Sequence, residues 1–247
     1  VVPEVRRQVQ QFFGRAPQVA IDPYKVVALG AGIQGHLLAG GRRDFLLLDV
    51  IPLALGIETV GGTFSKLITA NTTVPTEAKD LYTTHVDNQT AIEINIYQGE
   101  RELVCDCRCL GRFKLKGIPA MKAGLPLVEV TFRVDANGIL SVSALEKRSQ
   151  TDASIEVIPF HGLTQQEIDD LLEASYEHAI EDFNARRLIE FRQTAERVLQ
   201  GIEMHWTVAE KALPPTDCAA IRQQMEVVRQ RMEGQDPQAL KSEMDQL

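Results

Sequence analysis

Three cysteines in one short segment have the types and spacing that could most readily support chemistry. Cys105, Cys107 and Cys109 alternate in the segment VCDCRC. In a β-strand, alternate residues share one face about 6.6–6.8 Å apart, which is at or beyond the upper limit for a disulfide. A zinc site would need a fourth ligand and wider cysteine spacing. Reduced structural thiols are therefore favoured, and a metal-handling domain built on these cysteines stays open as an alternative.

Other catalytic patterns are not found in the sequence. No phosphate-binding loop of the form GxxxxGK[ST] occurs, and Gly30-Ala31-Gly32 lies within a helical pattern rather than after a strand. The five histidines are scattered, and neither HExxH nor GxSxG occurs. Paired carboxylates such as Asp169 and Asp170 fit the solvated face of an acidic helix. These observations predict a binding module rather than an enzyme, with no catalytic residues and no metal.

Length and charge restrict the class of protein further. The chain has 247 residues, which predicts one or two domains, and a formal net charge of −8. Residues 1–163 hold 17 basic and 17 acidic residues, whereas residues 164–247 hold 9 and 17, so the whole surplus lies in the last third. This balance argues against nucleic-acid binding. No apolar run is long enough to span a membrane, no signal peptide is evident, and we expect a reducing cytoplasm.

The spacing of apolar residues divides the chain into three regions of predicted secondary structure, and the helices and strands of these regions must position any site. Residues 3–38 predict two helices, with an apolar stripe that includes Val9 and Phe13. Residues 52–160 predict short strands, because apolar residues alternate in 92–97 and 128–134 and Asn137-Gly138 forms a hairpin signal. Many such strands favour a β-sandwich or barrel. The apolar run 45–50 predicts an edge or buried strand, or a segment that docks on a partner domain in one state.

The last third of the chain predicts helices. Thr164 and Glu167 form a T-x-x-E capping box, and apolar residues then follow at helical spacing. No proline occurs until Pro214, which permits one unusually long helix or two abutting helices, with Gly201 as the weakest point. A further helix is predicted to begin near Thr216. The acidic surplus is then the solvated face of a helical bundle.

Long stretches of the chain closely resemble the DnaK-type heat-shock-seventy chaperone family. Residues 44–76 resemble the family's linker and first strands, and DNQTAIEINIYQGERELV, GIPAMKAG, VEVTFRVDANGILSVSA and GLTQQEI continue the match. VRRQVQQFFGRAP and DPYKVVALGAGIQG resemble the end of its ATPase domain. LLLDVIPLALGIET, QGERELV, CRCLGRF and GIPA are most similar to the HscA branch, which is specialised for iron–sulfur cluster assembly in bacteria.

The resemblance implies a fold class and four segments. The expected fold is α+β, in which a β-sandwich peptide-binding domain precedes an α-helical lid bundle and follows a short helical remnant of the ATPase domain. The segments are the remnant at 1–39, an interdomain linker at 40–51, the sandwich at 52–161 and the lid at 162–247. Because the family's phosphate-binding loops lie upstream, we expect this chain to be no enzyme and to carry no cofactor, whereas the intact protein would use ATP and magnesium.

The resemblance also implies a peptide-binding site. In this family the sandwich binds an extended peptide through strand-like hydrogen bonds and one apolar pocket. Ile92 would lie at that pocket, and Val60 and His85 would arch over the peptide, although a small or apolar residue is expected at position 85. The peptide-binding positions transferred to this chain are Ile57, Thr59, Val60, Tyr82, Thr83, His85, Gln89, Ala91, Ile92, Ile94 and Val128. From alternation alone, plain sandwich core is the favoured interpretation of Ile92 and Ile94, and only the resemblance makes them peptide contacts.

The resemblance implies two further features, a lid latch and a docking linker. A lid latch would join Asp87 and Lys122, next to Ala123, to Glu196 on the long helix. The linker residues Leu46, Leu47, Leu48 and Asp49 would dock on the ATPase domain and couple it to peptide binding. The expected partners are a client peptide or an iron–sulfur scaffold protein, and a J-domain co-chaperone acting through the intact protein, with no nucleic acid and no membrane. A general chaperone with broad client specificity is the alternative within the family.

Overall fold

The computed structural model describes residues 2–18, 21–22, 24–39, 49–159 and 163–247. The chain divides into two compact units, residues 1–49 and residues 50–247. The predicted linker residues Leu46, Leu47 and Leu48, and most of the apolar run 45–50, lie outside the described residues. Asp49 is described, and it belongs to a two-residue strand.

The described residues of the first unit form two helices. Helix α1 spans Pro3–Phe13 and ends at Gly14, whose φ of 65° lies in the left-handed region that glycine tolerates. Helix α2 spans Val26–Leu38. No residue of α1 is buried, and apolar residues such as Phe12 and Val27 are exposed.

The described residues 49–159 contain ten strands. Residues Val104–Asp106 form one turn of 3₁₀ helix between β6 and β7. The strands are β1 (Asp49–Val50), β2 (Leu55–Thr59), β3 (Thr63–Ile68), β4 (Thr73–Val74), β5 (Thr76–Tyr82), β6 (Ala91–Gln98), β7 (Arg108–Lys116), β8 (Val128–Val134), β9 (Leu140–Glu146) and β10 (Asp152–Val157).

Two four-stranded antiparallel sheets share one apolar core. One sheet has the order β3-β2-β6-β7, the other has the order β10-β9-β8-β5, and β1 pairs with β4 in a separate two-stranded sheet. The alternation read from the sequence sets which residues face the core, because side chains of successive strand residues point to opposite faces. Ile94 and Ile96 from β6 therefore pack in the same cluster as Val130 and Phe132 from β8.

Four helices follow the sheets within residues 163–247. They are α3 (Gln165–Glu177), α4 (Ala179–Ala212), α5 (Pro215–Glu233) and α6 (Pro237–Met244). The capping box predicted at Thr164 forms, since its hydroxyl accepts from the Glu167 N–H and its own N–H donates to the Glu167 carboxylate. The break between helices falls at His178, whereas α4 continues through Gly201, so Gly201 is not the weakest point that the sequence suggested.

Helix α4 packs on α5 and α6 through a second apolar cluster. Leu188, Ala195 and Leu199 from α4 meet Met225 and Val228 from α5 and residues of α6. The core-facing residues of α4 recur every three or four positions, which places them on one side of the helix. The opposite side of α4 is therefore free to face other parts of the molecule. No helix among the described residues is long and apolar enough to cross a membrane.

Candidate functional site

A cavity of about 490 Å³ opens at one end of the two facing sheets. Its walls come from β2 and the turn after it, the end of β5 with the loop that follows, the middle of β6 and the start of β8. A cavity of this size falls within the range of small-ligand pockets in proteins. Its lining residues are Ile57, Glu58, Thr59, Val60, Gly61, Leu81, Tyr82, Thr83, His85, Gln89, Ile92, Glu93, Ile94, Asn95, Val128 and Val130.

The structure brings most of the predicted peptide-binding residues together around this cavity. Ten of the eleven line it, and the exception is Ala91. Ile57, Ile94 and Val128 are buried at its base, where they also belong to the core, whereas Ile92 is only half-buried. Ile92 therefore has a side chain that a bound residue could cover, while Ile94 serves mainly as core.

The loop between β5 and β6 is held by one amide side chain. The Gln89 Oε1 accepts from the backbone N–H groups of His85 and Val86, at 3.2 and 3.4 Å. Its Nε2 donates to the Ala91 carbonyl at 2.9 Å. Gln89 thus fixes the position of His85 at the cavity edge and ties Ala91 to the same loop, so its side chain supports the wall of the cavity.

Tyr82 joins the two sheets beside the cavity. Its hydroxyl lies 3.0 Å from the Ser65 Oγ, so that a residue of β5 in one sheet is bonded to a residue of β3 in the other. Burial of the phenol raises the pKa of Tyr82 to about 12, which keeps the hydroxyl neutral at all physiological pH values. Nothing in the sequence pattern singled out Ser65, because a lone serine in a strand has no distinctive spacing.

The turn between β2 and β3 forms the rim of the cavity. Gly61 and Gly62 both have positive φ, at 84° and 75°, and the hydroxyls of Thr59 and Thr63 lie 2.6 Å apart across its base. Val60 projects from this turn with 44% of its surface exposed. At the rim, the backbone carbonyl of Val60 accepts a hydrogen bond of 2.6 Å from the Gln193 Nε2 of α4.

Helix α4 lies directly on this rim. A Cβ at Gly61 would lie 2.4 Å from the Ile189 Cγ2 and 2.8 Å from the Gln193 Nε2, so the helix can approach only because residue 61 has no side chain. The turn of α4 that contains Ile189 and Gln193 is thus held against the edge of the cavity.

Two ion pairs hold the beginning of α4 to the segment between β6 and β7. Asp182 accepts from the Arg101 Nε and Nη2 at 2.5 and 2.8 Å, and Asp182 is only 6% exposed. Arg186 donates to Glu102 at 2.6 Å. The hydrogen bonds from Arg101 hold the pKa of Asp182 below its usual value. The pKa of Arg186 is raised by its bonds to Glu190 and Glu102, so it remains charged.

The predicted lid latch is not what joins α4 to the sheets in this structure. The Asp87 Oδ1 accepts from the Ala123 N–H at 2.7 Å, which closes one loop onto another. Lys122 and Glu196 form no ion pair with any residue in the described ranges. The latch of Asp87, Lys122 and Glu196 therefore stays a prediction, and Arg101 and Asp182 are the residues that sequence reasoning missed.

The cysteine segment forms no recognisable metal site. Cys105, Cys107 and Cys109 are free thiols, and no group of three or more potential ligands among the described residues could hold a metal ion. Burial raises the pKa of Cys107 to about 11, and its Sγ lies 3.7 Å from the Arg101 carbonyl oxygen. A neutral, partly buried thiol behind Arg101 fits a structural role, and the metal-handling alternative gains no support from the geometry.

Comparison with known proteins relates every part of this chain to one family. A family model described as Hsp70 protein matches residues 1–247. Chaperone protein HscA of Yersinia enterocolitica is 47% identical over 243 residues, which are 98% of this chain and 39% of that protein. An HscA homolog of Haemophilus influenzae is 51% identical over 81% of this chain and 33% of its own length. Another from Methylococcus capsulatus is 46% identical over 100% of this chain and 40% of its own length.

The match corrects three predictions. The predicted fold class, a β-sandwich peptide-binding domain with a helical lid after an ATPase remnant, is contradicted, because the family model matches residues 1–247 as one stretch and not a substrate-binding part alone. The predictions of no enzyme and no cofactor are corrected too. They rested on missing motifs and on phosphate-binding loops expected upstream of this chain, whereas the family model matches all of residues 1–247. The chain spans about two fifths of the length of the relatives it matches. The chain belongs to the Hsp70 family.

Proposed function

We propose that this chain binds an extended, partly apolar segment of a client protein in the cavity at the end of the two sheets. The observation that carries the proposal is the position of α4, whose Gln193 is bonded to the rim residue Val60 directly beside an apolar-based cavity. A segment in the cavity would be held from below by apolar side chains and restricted at the edge by a helix.

The lining supports an extended segment rather than a compact ligand. The base is apolar, with Ile57, Ile94 and Val128 buried, and half-buried Ile92 offers one side-chain contact. Around it are polar groups that can bond to a peptide backbone, among them Thr59 and Thr83. Apolar contact for one side chain together with backbone bonding on either side is the usual way in which proteins bind an extended strand.

We further propose that the full-length protein acts as a chaperone in iron–sulfur cluster assembly. The support is the similarity to several proteins named HscA, at 46–51% identity. An iron–sulfur scaffold protein would then be the client and a J-domain protein the co-chaperone. Broad binding of apolar segments, as in a general chaperone, is the alternative outcome of the same measurement.

Fluorescence anisotropy with two labelled peptides tests the proposal. One peptide is Pro-rich and taken from a scaffold protein, and the other is Leu-rich and generic. Ile92→Ala should weaken binding of the preferred peptide about tenfold, because burying an aliphatic side chain contributes about 1.5 kcal/mol or more. Leu125→Ala is the matched control, since Leu125 is exposed and does not line the cavity.

The outcomes separate the possibilities. Tighter binding of the scaffold peptide supports the iron–sulfur proposal, and equal binding of both peptides supports a general chaperone. The cavity is not the binding site if Ile92→Ala binds as tightly as Leu125→Ala.

A further inference from the structure

One face of α4 continues beyond the rim of the cavity without a partner. The residues that contact the sheets are Asp182, Arg186, Ile189 and Gln193, which recur every three or four positions and so lie on one side of the helix. The same side continues through Gln200, Met204 and Val208, and all three are exposed. Met204 has 74% and Val208 has 65% of its surface exposed.

This face is not required for the packing of the helices. The contacts of α4 with α5 and α6 are made by another side of the helix, through Leu188, Ala195 and Leu199 together with Ile202 and Trp206. Met204 and Val208 are therefore displayed on the side of α4 that contacts the cavity rim at Gln193, about three and four turns earlier. Methionine is flexible and polarisable, which suits contact with varied surfaces.

We infer that this face, defined by Gln200, Met204 and Val208, is a second contact surface for the client chain where it extends beyond the cavity. The inference rests on the proposed function. Met204 lies eleven positions after Gln193, about 16 Å along the helix at 1.5 Å per residue. An extended chain covers that distance in about five residues. A client segment only slightly longer than the cavity would thus reach Met204.

Continuity with the cavity favours a client over a second copy of this chain. Gln193, on the same side of α4, is bonded to the rim residue Val60, so a segment that leaves the cavity at this rim runs onto this side of the helix. Helix α4 itself carries six acidic and five basic residues, so an apolar segment with few charges meets little repulsion there. We therefore assign the face to an apolar segment of the client chain.

Peptides of two lengths test this inference on the chain as it stands. The short probe has about seven residues with a Leu-rich centre, and the long probe adds about eight residues at each end, with alternating Leu and one Lys per arm. The wild type should bind the long probe about five- to tenfold more tightly than the short probe, because the arms of the long probe cover Met204 and Val208. The double variant Met204→Ser/Val208→Ser should lose this gain and bind the short probe unchanged.

The matched control is Tyr176→Ser/Ile180→Ser, which removes two exposed apolar residues from outside this face. It should keep the preference for the long probe. The inference is overturned if Met204→Ser/Val208→Ser keeps the gain, or if light scattering shows a wild-type dimer that this variant turns into a monomer. If the wild type binds neither probe, the proposed function itself fails and the inference fails with it, which is a different result from loss of the length dependence alone.

Discussion

Replacing Asp182 by Asn should release the beginning of α4 from the sheets. Asp182 is nearly buried and accepts two hydrogen bonds from Arg101, whose side chain is also largely covered. Hydrogen bonds to a charged partner contribute about 1.5–3 kcal/mol, and a covered charge left without its partner is costly. Asn keeps one acceptor of similar shape. We therefore expect the free energy that attaches α4 to the sheets to fall by about 2 kcal/mol, which lowers the ratio of attached to detached molecules about 30-fold.

The rate of peptide release measures this change. A labelled peptide is bound, excess unlabelled peptide is added, and the decay of anisotropy gives the off-rate, which should rise by about 10- to 30-fold in Asp182→Asn. Glu203→Gln is the matched control on the same helix, because Glu203 pairs with Arg229 on an exposed surface. An exposed pair of this kind contributes about 0–1 kcal/mol, so the off-rate should change by less than about fivefold.

A second substitution and the pH dependence refine the prediction. Removing the unpaired guanidinium as well, in Arg101→Met/Asp182→Leu, should bring the off-rate back toward that of the wild type. The pKa of Asp182 is lowered in the folded state, so the ionised pair contributes fully above pH about 4 and is lost as the pH falls through the lowered pKa. The off-rate should therefore be constant between pH 8 and about 5. An off-rate in Asp182→Asn within twofold of the wild type, with the circular dichroism spectrum unchanged, would refute the reasoning.

Three further predictions concern the cavity rim, the link between the sheets and the thiols. Gly61→Ala should raise the peptide off-rate at least tenfold, because the added methyl group meets α4 and residue 61 has a positive φ. Gly124→Ala is the control and should leave the off-rate unchanged, since Gly124 also has a positive φ but has open space around it. Tyr82→Phe should lower the free energy of unfolding in urea by about 1 kcal/mol by removing the bond to Ser65, and Ser65→Ala should add nothing to it in the double variant. Cys107 should react with iodoacetamide at pH 8 at least tenfold more slowly than exposed Cys109, as followed by mass spectrometry of peptides, and equal rates would contradict the effect of burial on its pKa.

Local patterns in the sequence were sufficient to predict three of the strands and the starts of α3 and α5. Strands β6, β8 and β9 carry strict alternation, and each residue's face follows from the period of two. The capping box at Thr164 and the proline-led start of α5 are also local signals. These features depend only on residues close together in the chain, which is why a single sequence contains them.

The contacts that hold α4 in place could not be read from the sequence in the same way. Arg101 and Asp182 are 81 positions apart, and each is one of many charged residues with no distinctive spacing. The same holds for Gln193 and the Val60 carbonyl, 133 positions apart, since an amide bonded to a backbone oxygen leaves no pattern in side-chain types. The break at His178 was equally hidden, because neither glycine nor proline marks it.

The contact between α4 and the rim has a consequence for how the cavity could diversify. Gln193 bonds to the backbone carbonyl of Val60, and Ile189 comes close to Gly61 because Gly61 has no side chain. These two contacts use the backbone of the turn and not the Val60 side chain. Substitution at position 60 could then change which residue the cavity accepts and leave the attachment of the helix intact. Selectivity and retention of a bound segment would therefore be independently adjustable traits, each open to change without loss of the other.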